Sequence, residues 1–370
     1  MRTIRWFEVG IVLVGALVLL WAVRSSQDDT EGSIKPSPST AAPASTPEPF
    51  EPGPWTFEEV WSLPLEHAHG LAAGDVDSDG TSEVLVARHA SVEILSLEGK
   101  SKGALQLEAD ITQLEMGRGK TGPVLLGYKN WGDEITTFSV AGKVLWTRPT
   151  PNGANGAHWG DLDSDGVDEV IIGMNGSGGL LAVDSDGQEL WSFPDIGNVW
   201  SQAVIPASSD QPARVFATHA MGTILEFDSE GQVQGELTDL GYVAPMNAAR
   251  MKPSGDVQLV IQADVRRLLF SSKVVLGVDE KGEEIWRISV EDGSNWRATS
   301  FAHGDLNRDG TEEWVVPDRQ NRLAVMSHAG ERLGTIELPS GFATLAITSE
   351  GLLVVSLEDK LVAAYSIAND

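Results

Sequence analysis

Short β-branched or aliphatic runs recur along most of the chain, beginning at Val84, Val124, Val170, Val215, Leu259, Trp314 and Leu352, with polar turns between them. Each is followed by a second run, at residues 92–97, 135–140, 180–184, 224–227, 274–278, 323–326 and 361–365. Runs this short, bounded by Gly, Asp and Ser, predict strands rather than helices. Six of the second runs enter a turn ending in Gly99, Gly142, Gly187, Gly231, Gly282 or Gly330, at intervals of 43, 45, 44, 51 and 48 residues. Seven copies with a period near 45 predict an all-β, seven-bladed β-propeller of four-stranded blades.

Four residues past each turn glycine stands Trp146, Trp191 or Trp286, or else Gly103, Gly235 or Gly334, which places this position on an outer strand at fixed register. Large aromatics repeated there are expected to pack against neighbouring blades. The seventh repeat ends at Asp370, before it can supply that strand. Trp61-Ser62-Leu63-Pro64 closely matches Trp191-Ser192-Phe193-Pro194, so an N-terminal strand is expected to complete the last blade and close the ring.

Three polar connections share one acidic design. Asp75, Asp77 and Asp79 alternate before Gly80 and Glu83; Asp161, Asp163 and Asp165 before Gly166 and Glu169; Asp305, Asn307 and Asp309 before Gly310 and Glu313. Oxygen ligands at alternate positions converge on one hard cation only if the chain turns sharply, which the glycines permit. An EF-hand would need a bidentate Glu at position twelve, where Val86, Ile172 and Val316 stand instead. The closing acid comes at position nine and runs directly into strand residues, so these loops join two strands. Asp-Gly-Ser turns are also ordinary polar turns; three copies in register favour cation sites.

With strands on both sides, these loops resemble FG-GAP or VCBS repeats, which build integrin-α-like seven-bladed propellers, and the similarity spans residues 55–368. The resemblance implies three calcium sites. Their side-chain ligands would be Asp75, Asp77, Asp79 and Glu83, then Asp161, Asp163, Asp165 and Glu169, then Asp305, Asn307, Asp309 and Glu313, helped by the carbonyls of Thr81, Val167 and Thr311. The other four repeats keep the strands without the ligands; Gly117-Arg118-Gly119-Lys120 stands in one and Ser208-Ser209-Asp210 in another. The segment from Asp184 to Trp191 partly resembles the blade motif of quinoprotein dehydrogenases but lacks its Thr. Seven repeats rather than eight, and no cysteine pair, argue against a quinone enzyme.

A net charge of −28 over 370 residues argues against nucleic-acid binding, which needs basic surface. With no cysteine, disulfides and thiolate chemistry are excluded. Residues 1–24 carry Arg2 and Arg5 before an apolar run, and acidic residues follow, which predicts a signal anchor or transmembrane helix with the remainder exported. Residues 25–54, rich in Ser, Thr and Pro, read as a disordered linker. The propeller, residues 55–370, would then be membrane-anchored on the periplasmic or cell-surface side, or secreted if the anchor is cleaved.

Partner binding is expected on the axial face, where outer strands cross to the next blade. His67, His69, Asn155, Trp200, Tyr242, Trp296, Arg297 and Phe342 fall in those crossings; plugging of the central channel is the alternative role for the aromatics. His69, His158 and His303 precede the acidic loops at differing offsets and are expected to be hydrogen-bonded rather than metal-bound. No hydrolase nucleophile elbow, zinc-protease motif or phosphate loop occurs. The expected function is a membrane-tethered, calcium-binding module for a protein or glycan, in adhesion, recognition or scaffolding; the alternative is a polysaccharide lyase or hydrolase.

Overall fold

The aliphatic runs become strands in the computed structural model, which describes residues 53–368 except 220–221, 253–254, 256, 268–269, 291–300, 320 and 359. The described strands form seven antiparallel sheets, and regular helix among the described residues is limited to the 3-10 turn Pro194–Ile196. Blade 1 contains Gly70–Gly74, Glu83–Leu95 and Ser101–Ile111. Blade 2 contains Gln113–Gly119, Gly122–Tyr128, Glu134–Ser139 and Val144–Pro149. Blade 3 contains Ala154–Gly160, Glu169–Met174, Leu180–Val183 and Glu189–Phe193. Blade 4 contains Val199–Ile205, Arg214–His219, Ile224–Phe227 and Val233–Leu237. Blade 5 has Tyr242–Arg250, Val257–Arg267, Phe270–Asp279 and Glu284–Val290, whose long middle hairpin accounts for the 51-residue interval. Blade 6 has Ala302–Gly304, Glu313–Arg319, Arg322–Met326 and Arg332–Glu337.

Blade 7 takes Phe342–Ile347, Leu353–Leu357 and Leu361–Ile367 from the C-terminal end and Phe57–Pro64 from the N-terminal side. The junction is antiparallel, from Phe57 opposite Ile367 to Pro64 opposite Leu361. The expected closure is therefore present. The first strands of blades 7 and 1 also lie side by side, as do those of other neighbouring blades. In blade 1 the second and third positions form one continuous strand, Glu83–Leu95, that doubles back at His89-Ala90. There Ser91 Oγ donates to the Arg88 carbonyl at 3.0 Å, and Arg88 Nη1 lies 3.8 Å from Glu93 Oε2.

Seven apolar clusters fill the interior, one at each junction between blades; Val84, Val86 and Leu95 of blade 1, for example, meet Leu352, Val354, Val362 and Ala364 of blade 7. Middle strands are covered on both faces, so Leu180–Val183 and Leu353–Leu357 are buried throughout. Outer strands have one face covered, and Val144–Pro149 alternates accordingly.

The repeating tryptophans bridge blades. Nε1 of Trp61, Trp146 and Trp191 donates to the carbonyls of Leu97, Ser185 and Ser229 at 2.7, 2.9 and 2.8 Å. Each accepting residue lies two before a turn glycine of the next blade. A Cβ on Gly99, Gly187 or Gly231 would stand only 2.6, 2.8 or 2.5 Å from the indole, and all three glycines have positive φ. Glycine therefore recurs there both because the turn needs it and because the indole occupies the space. The segments expected to be an anchor and most of the linker, and also Trp296 and Arg297, lie outside the described residues.

Candidate functional site

Antiparallel strands put connections alternately at the two ends of a blade. One end, here the loop face, carries the connections between first and second strands and between third and fourth. The crossing face carries the remaining hairpins and the crossings between blades.

On the loop face the three acidic loops share one backbone. Ser78, Ser164 and Arg308 have φ of 62°, 67° and 59°, followed by Gly80, Gly166 and Gly310 at 88°, 86° and 87°. Both oxygens of each leading Asp accept amide hydrogens from its own loop; Gly80 N donates to Asp75 Oδ2 at 2.8 Å, Gly166 N to Asp161 Oδ2 at 3.0 Å and Gly310 N to Asp305 Oδ2 at 2.8 Å. The closing Glu83, Glu169 and Glu313 are buried and accept from Val76, Leu162 and Leu306 amides at 3.0, 2.8 and 3.0 Å. The loops' own backbone amides thus fix the orientation of these acids. Donor oxygens of Asp75, Asp77 and Glu83 lie within 4.8 Å of one another, as do those of Asp161, Asp163 and Glu169. All-oxygen sets of this kind suit a hard divalent cation.

Charge compensation differs between copies. In the first loop the Lys102 ammonium stands 2.8 Å from Asp77 Oδ2 and 2.6 Å from Glu83 Oε1, with Asp79 Oδ2 at 3.8 Å. Its hydrogen bonds to Asp77 and Glu83 hold its pKa above the ordinary lysine value. Asp77 is held below the usual carboxylate range, chiefly by its hydrogen bond from Lys102. At the second loop Arg118, from the ligand-free turn of blade 2, reaches Asp161 at 3.5 Å and Asp168 at 2.7 Å. Its neighbour Lys120 bonds Asp186 at 2.6 Å. Burial, with the adjacent aspartates adding to it, pushes Glu169 and Glu313 up to about 7. Asn307 Nδ2 donates to Asp309 Oδ2 at 2.9 Å and holds Asp309 low. Thr81, Val167 and Thr311 directly follow the loop glycines.

On the crossing face, Trp200 is 38% exposed and meets Tyr242 edge to face, with ring centroids 6.1 Å apart. Asn155 is committed to its neighbours, its Nδ2 donating to Asn198 Oδ1 at 3.0 Å and to the Val199 carbonyl at 2.6 Å. Phe342 is buried in the junction between blades 6 and 7. Two contributors escaped the sequence reading. Trp131, 69% exposed with φ of 60°, caps the middle hairpin of blade 2; His89 turns the hairpin of blade 1 and its ring lies 4.5 Å from that of His67 and 5.1 Å from that of His69. An exposed tryptophan in a turn was visible in sequence as a large apolar residue flanked by Asn130 and Gly132.

The central channel holds a cavity of about 440 Å³ that His69, His158 and His303 all line. Two of them are held in separate pairs: His158 Nδ1 is 2.5 Å from Glu115 and His303 Nδ1 is 2.6 Å from Glu312. Burial opposes charge on His158, but Glu115 outweighs it and the net shift is upward.

No family model matches the sequence, and no curated protein matches it. Among solved structures, BBS1N in complex with ARL6DN, soaked with lead, aligns over 85% of this chain and 97% of that chain, with a TM-score of 0.66 at 11% identity. The mercury-soaked crystal of the same complex aligns over the same shares with a TM-score of 0.65. At that identity the likeness is one of fold, and it agrees with the seven antiparallel blades described above.

Proposed function

We propose that this chain is a binding module of the FG-GAP/VCBS type: a seven-bladed propeller, tethered to a membrane through residues 1–24 and facing outward, that docks a protein partner on its crossing face. The observation that carries this reading is the set of exposed aromatics there, Trp131 together with the Trp200–Tyr242 pair. Tryptophan and tyrosine supply much of the energy of protein interfaces. The similar BBS1N propeller stands in a complex with ARL6DN, which supports a protein as the class of ligand.

Calcium in the three acidic loops would brace the opposite face. Asp75, Asp77, Asp79 and Glu83 and their two sister sets would hold it, and its role would be structural, neutralising carboxylates that the backbone already crowds together. Photo-crosslinking from positions 131 and 200 of the full-length chain in its own cells should give one adduct, absent from position 165 on the loop face and lost on Tyr242→Ala. An adduct from position 165 alone, or from none of the three, would overturn the docking face. For the metal, thermal unfolding of the full-length chain should rise in millimolar calcium and not in magnesium, by about 2.7 kcal/mol per site at a hundredfold excess over Kd. That rise should vanish in the combined variant Asp77→Ala, Asp163→Ala, Asn307→Ala.

A further inference from the structure

Three of the seven histidines of the chain meet at one place on the crossing face. His67 and His69 come from the crossing between Phe57–Pro64 and Gly70–Gly74, and His89 from the turn within Glu83–Leu95. One ring nitrogen of each lies within 4.8 Å of those of the other two. Their centroids are 4.5, 5.1 and 6.0 Å apart. Because the hairpin and the crossing leave blade 1 at the same end, residues some twenty apart in sequence become neighbours.

The backbone around the cluster is clamped. His69 N donates to the Ala87 carbonyl at 3.0 Å, and Arg88 Nε donates to the Glu66 carbonyl at 3.0 Å. Buried Ala68, between the two crossing histidines, accepts from the Ser356 hydroxyl of blade 7. His67 and His89 both take left-handed backbone, with φ of 64° and 55°, a region that side-chain-bearing residues rarely adopt and that clusters at ligand clamps. None of the three rings is in the core: His67 and His89 are exposed and His69 is half-buried, so apolar packing does not explain the convergence.

Behind His89 stands a carboxylate. Asp110 Oδ1 lies 3.2 Å from His89 Nδ1, so Nδ1 is the donor and Nε2 is left with its lone pair directed away from Asp110. Lys129 holds the other oxygen of Asp110 at 2.7 Å, and its hydrogen bond, more than that of His89, keeps the Asp110 carboxyl below the usual carboxylate range. A carboxylate behind a ligating imidazole fixes its tautomer and raises its basicity, the usual second layer around a zinc-class ion. The cations beside the cluster are engaged elsewhere: Arg88 with the Glu66 carbonyl and Glu93, and Lys129 with Asp110.

We propose that His67, His69 and His89 bind a divalent transition-metal ion of the zinc class, with Asp110 orienting His89 and a fourth position open to solvent on the crossing face. Neutral imidazoles suit Zn²⁺, Cu²⁺, Ni²⁺ or Co²⁺ and not the hard cations that suit the acidic loops. Bonds of about 2.0–2.1 Å in a tetrahedral site set nitrogens about 3.4 Å apart. Closing the nitrogens from within 4.8 Å to that spacing requires the exposed rings of His67 and His89 to turn toward His69. Three protein ligands with one open position is the arrangement that leaves room for water or for a side chain of a docked partner.

The test uses the untagged full-length chain in millimolar calcium, which keeps the carboxylate loops from competing. Titration with Co²⁺ should give one-equivalent ligand-field absorption, and competition between the protein and a chromophoric chelator should give a Zn²⁺ Kd of about 1 μM or tighter. His67→Gln and His89→Gln should each weaken Zn²⁺ binding roughly 100-fold, and Asp110→Asn by about 10–100-fold. His328→Gln, at a distant turn, should leave it unchanged. Melting curves of the variants in calcium buffer free of transition metals should overlay that of the parent, since the substituted side chains are exposed. Binding weaker than about 100 μM, binding unaffected by His89→Gln, or an equal loss in His328→Gln would overturn the site.

Discussion

Trp191 is the clearest test of what holds the blades together. Its indole stacks on Phe227 of blade 4 at 6.1 Å and 19°, lies against the Gly231 turn, and donates to the Ser229 carbonyl at 2.8 Å. Truncating a fully buried tryptophan costs about 3–5 kcal/mol. This ring is only partly buried, so the apolar loss is about 2 kcal/mol, the aromatic pair adds about 0.5–1.5 kcal/mol and the hydrogen bond about 0.5–1.5 kcal/mol. The Ser229 carbonyl is left at the surface, where water replaces the lost donor, so no desolvation penalty is added. Trp191→Ala should therefore cost about 3–5 kcal/mol, and Trp191→Phe, which keeps a stacked ring, about 1–1.5 kcal/mol. Trp200→Ala removes a more exposed ring that has an aromatic partner but, among the described residues, donates no hydrogen bond between blades, and should cost about 1–2 kcal/mol.

Urea unfolding followed by tryptophan fluorescence and far-UV circular dichroism would measure all three. A cycle with Gly231→Ala sharpens the test. A Cβ there would lie 2.5 Å from the ring, so the glycine substitution should be costlier with Trp191 present than in the Trp191→Ala background, by about 1 kcal/mol or more. If Trp191→Ala costs no more than Trp200→Ala, or if the two positions prove additive, the indole is not a latch between blades and the account of the repeating tryptophans fails.

Three further outcomes follow from the same geometry. Lys102→Met removes the ammonium from Asp77 and Glu83, so the chain should melt lower than the parent in chelator and gain more than the parent on adding calcium; an identical calcium increment would refute the role given to Lys102. His158 has its pKa raised in the folded state by Glu115, so its contribution to stability is present below the ordinary histidine value near 6.5 and is lost as pH rises through the folded value. Glu115→Gln should lower the His158 titration midpoint by NMR and flatten that decline, and an unmoved midpoint would refute the pairing. Deleting residues 53–64 uncovers the Leu361–Ile367 edge and the apolar seam between blades 7 and 1. Light scattering should then show self-association through the open edge, and a stable monomer would refute the closure as a source of stability.

The seven blades were legible because middle strands, covered on both faces, write continuous aliphatic runs, and because turn glycines mark each hairpin at a nearly constant interval. Ring closure was legible too, since Trp61-Ser62-Leu63-Pro64 repeats the outer-strand pattern of blade 3, and pairing of Leu63 with Val362 realises it. The site was legible only in part. Asp75, Asp161 and Asp305 announce their loops through local spacing, and the amide hydrogen bonds to these leading aspartates and to the closing glutamates are made within the loop itself. Phe342 reads as a candidate contact in sequence yet is core, because the position of its side chain depends on how blade 6 packs against blade 7.

Sequence by itself determined the repeat, the loop backbones and the strand that closes the ring, because each rests on burial periodicity, on contacts between near neighbours in the chain or on a motif repeated from blade to blade. Tertiary structure alone decided which charges meet. Lys102 enters the first acidic loop from the blade's outer strand, Arg118 approaches the second from another blade, and His89 joins His67 and His69 across a hairpin and a crossing. Such meetings depend on the angle and register between packed sheets, which no spacing along the chain encodes.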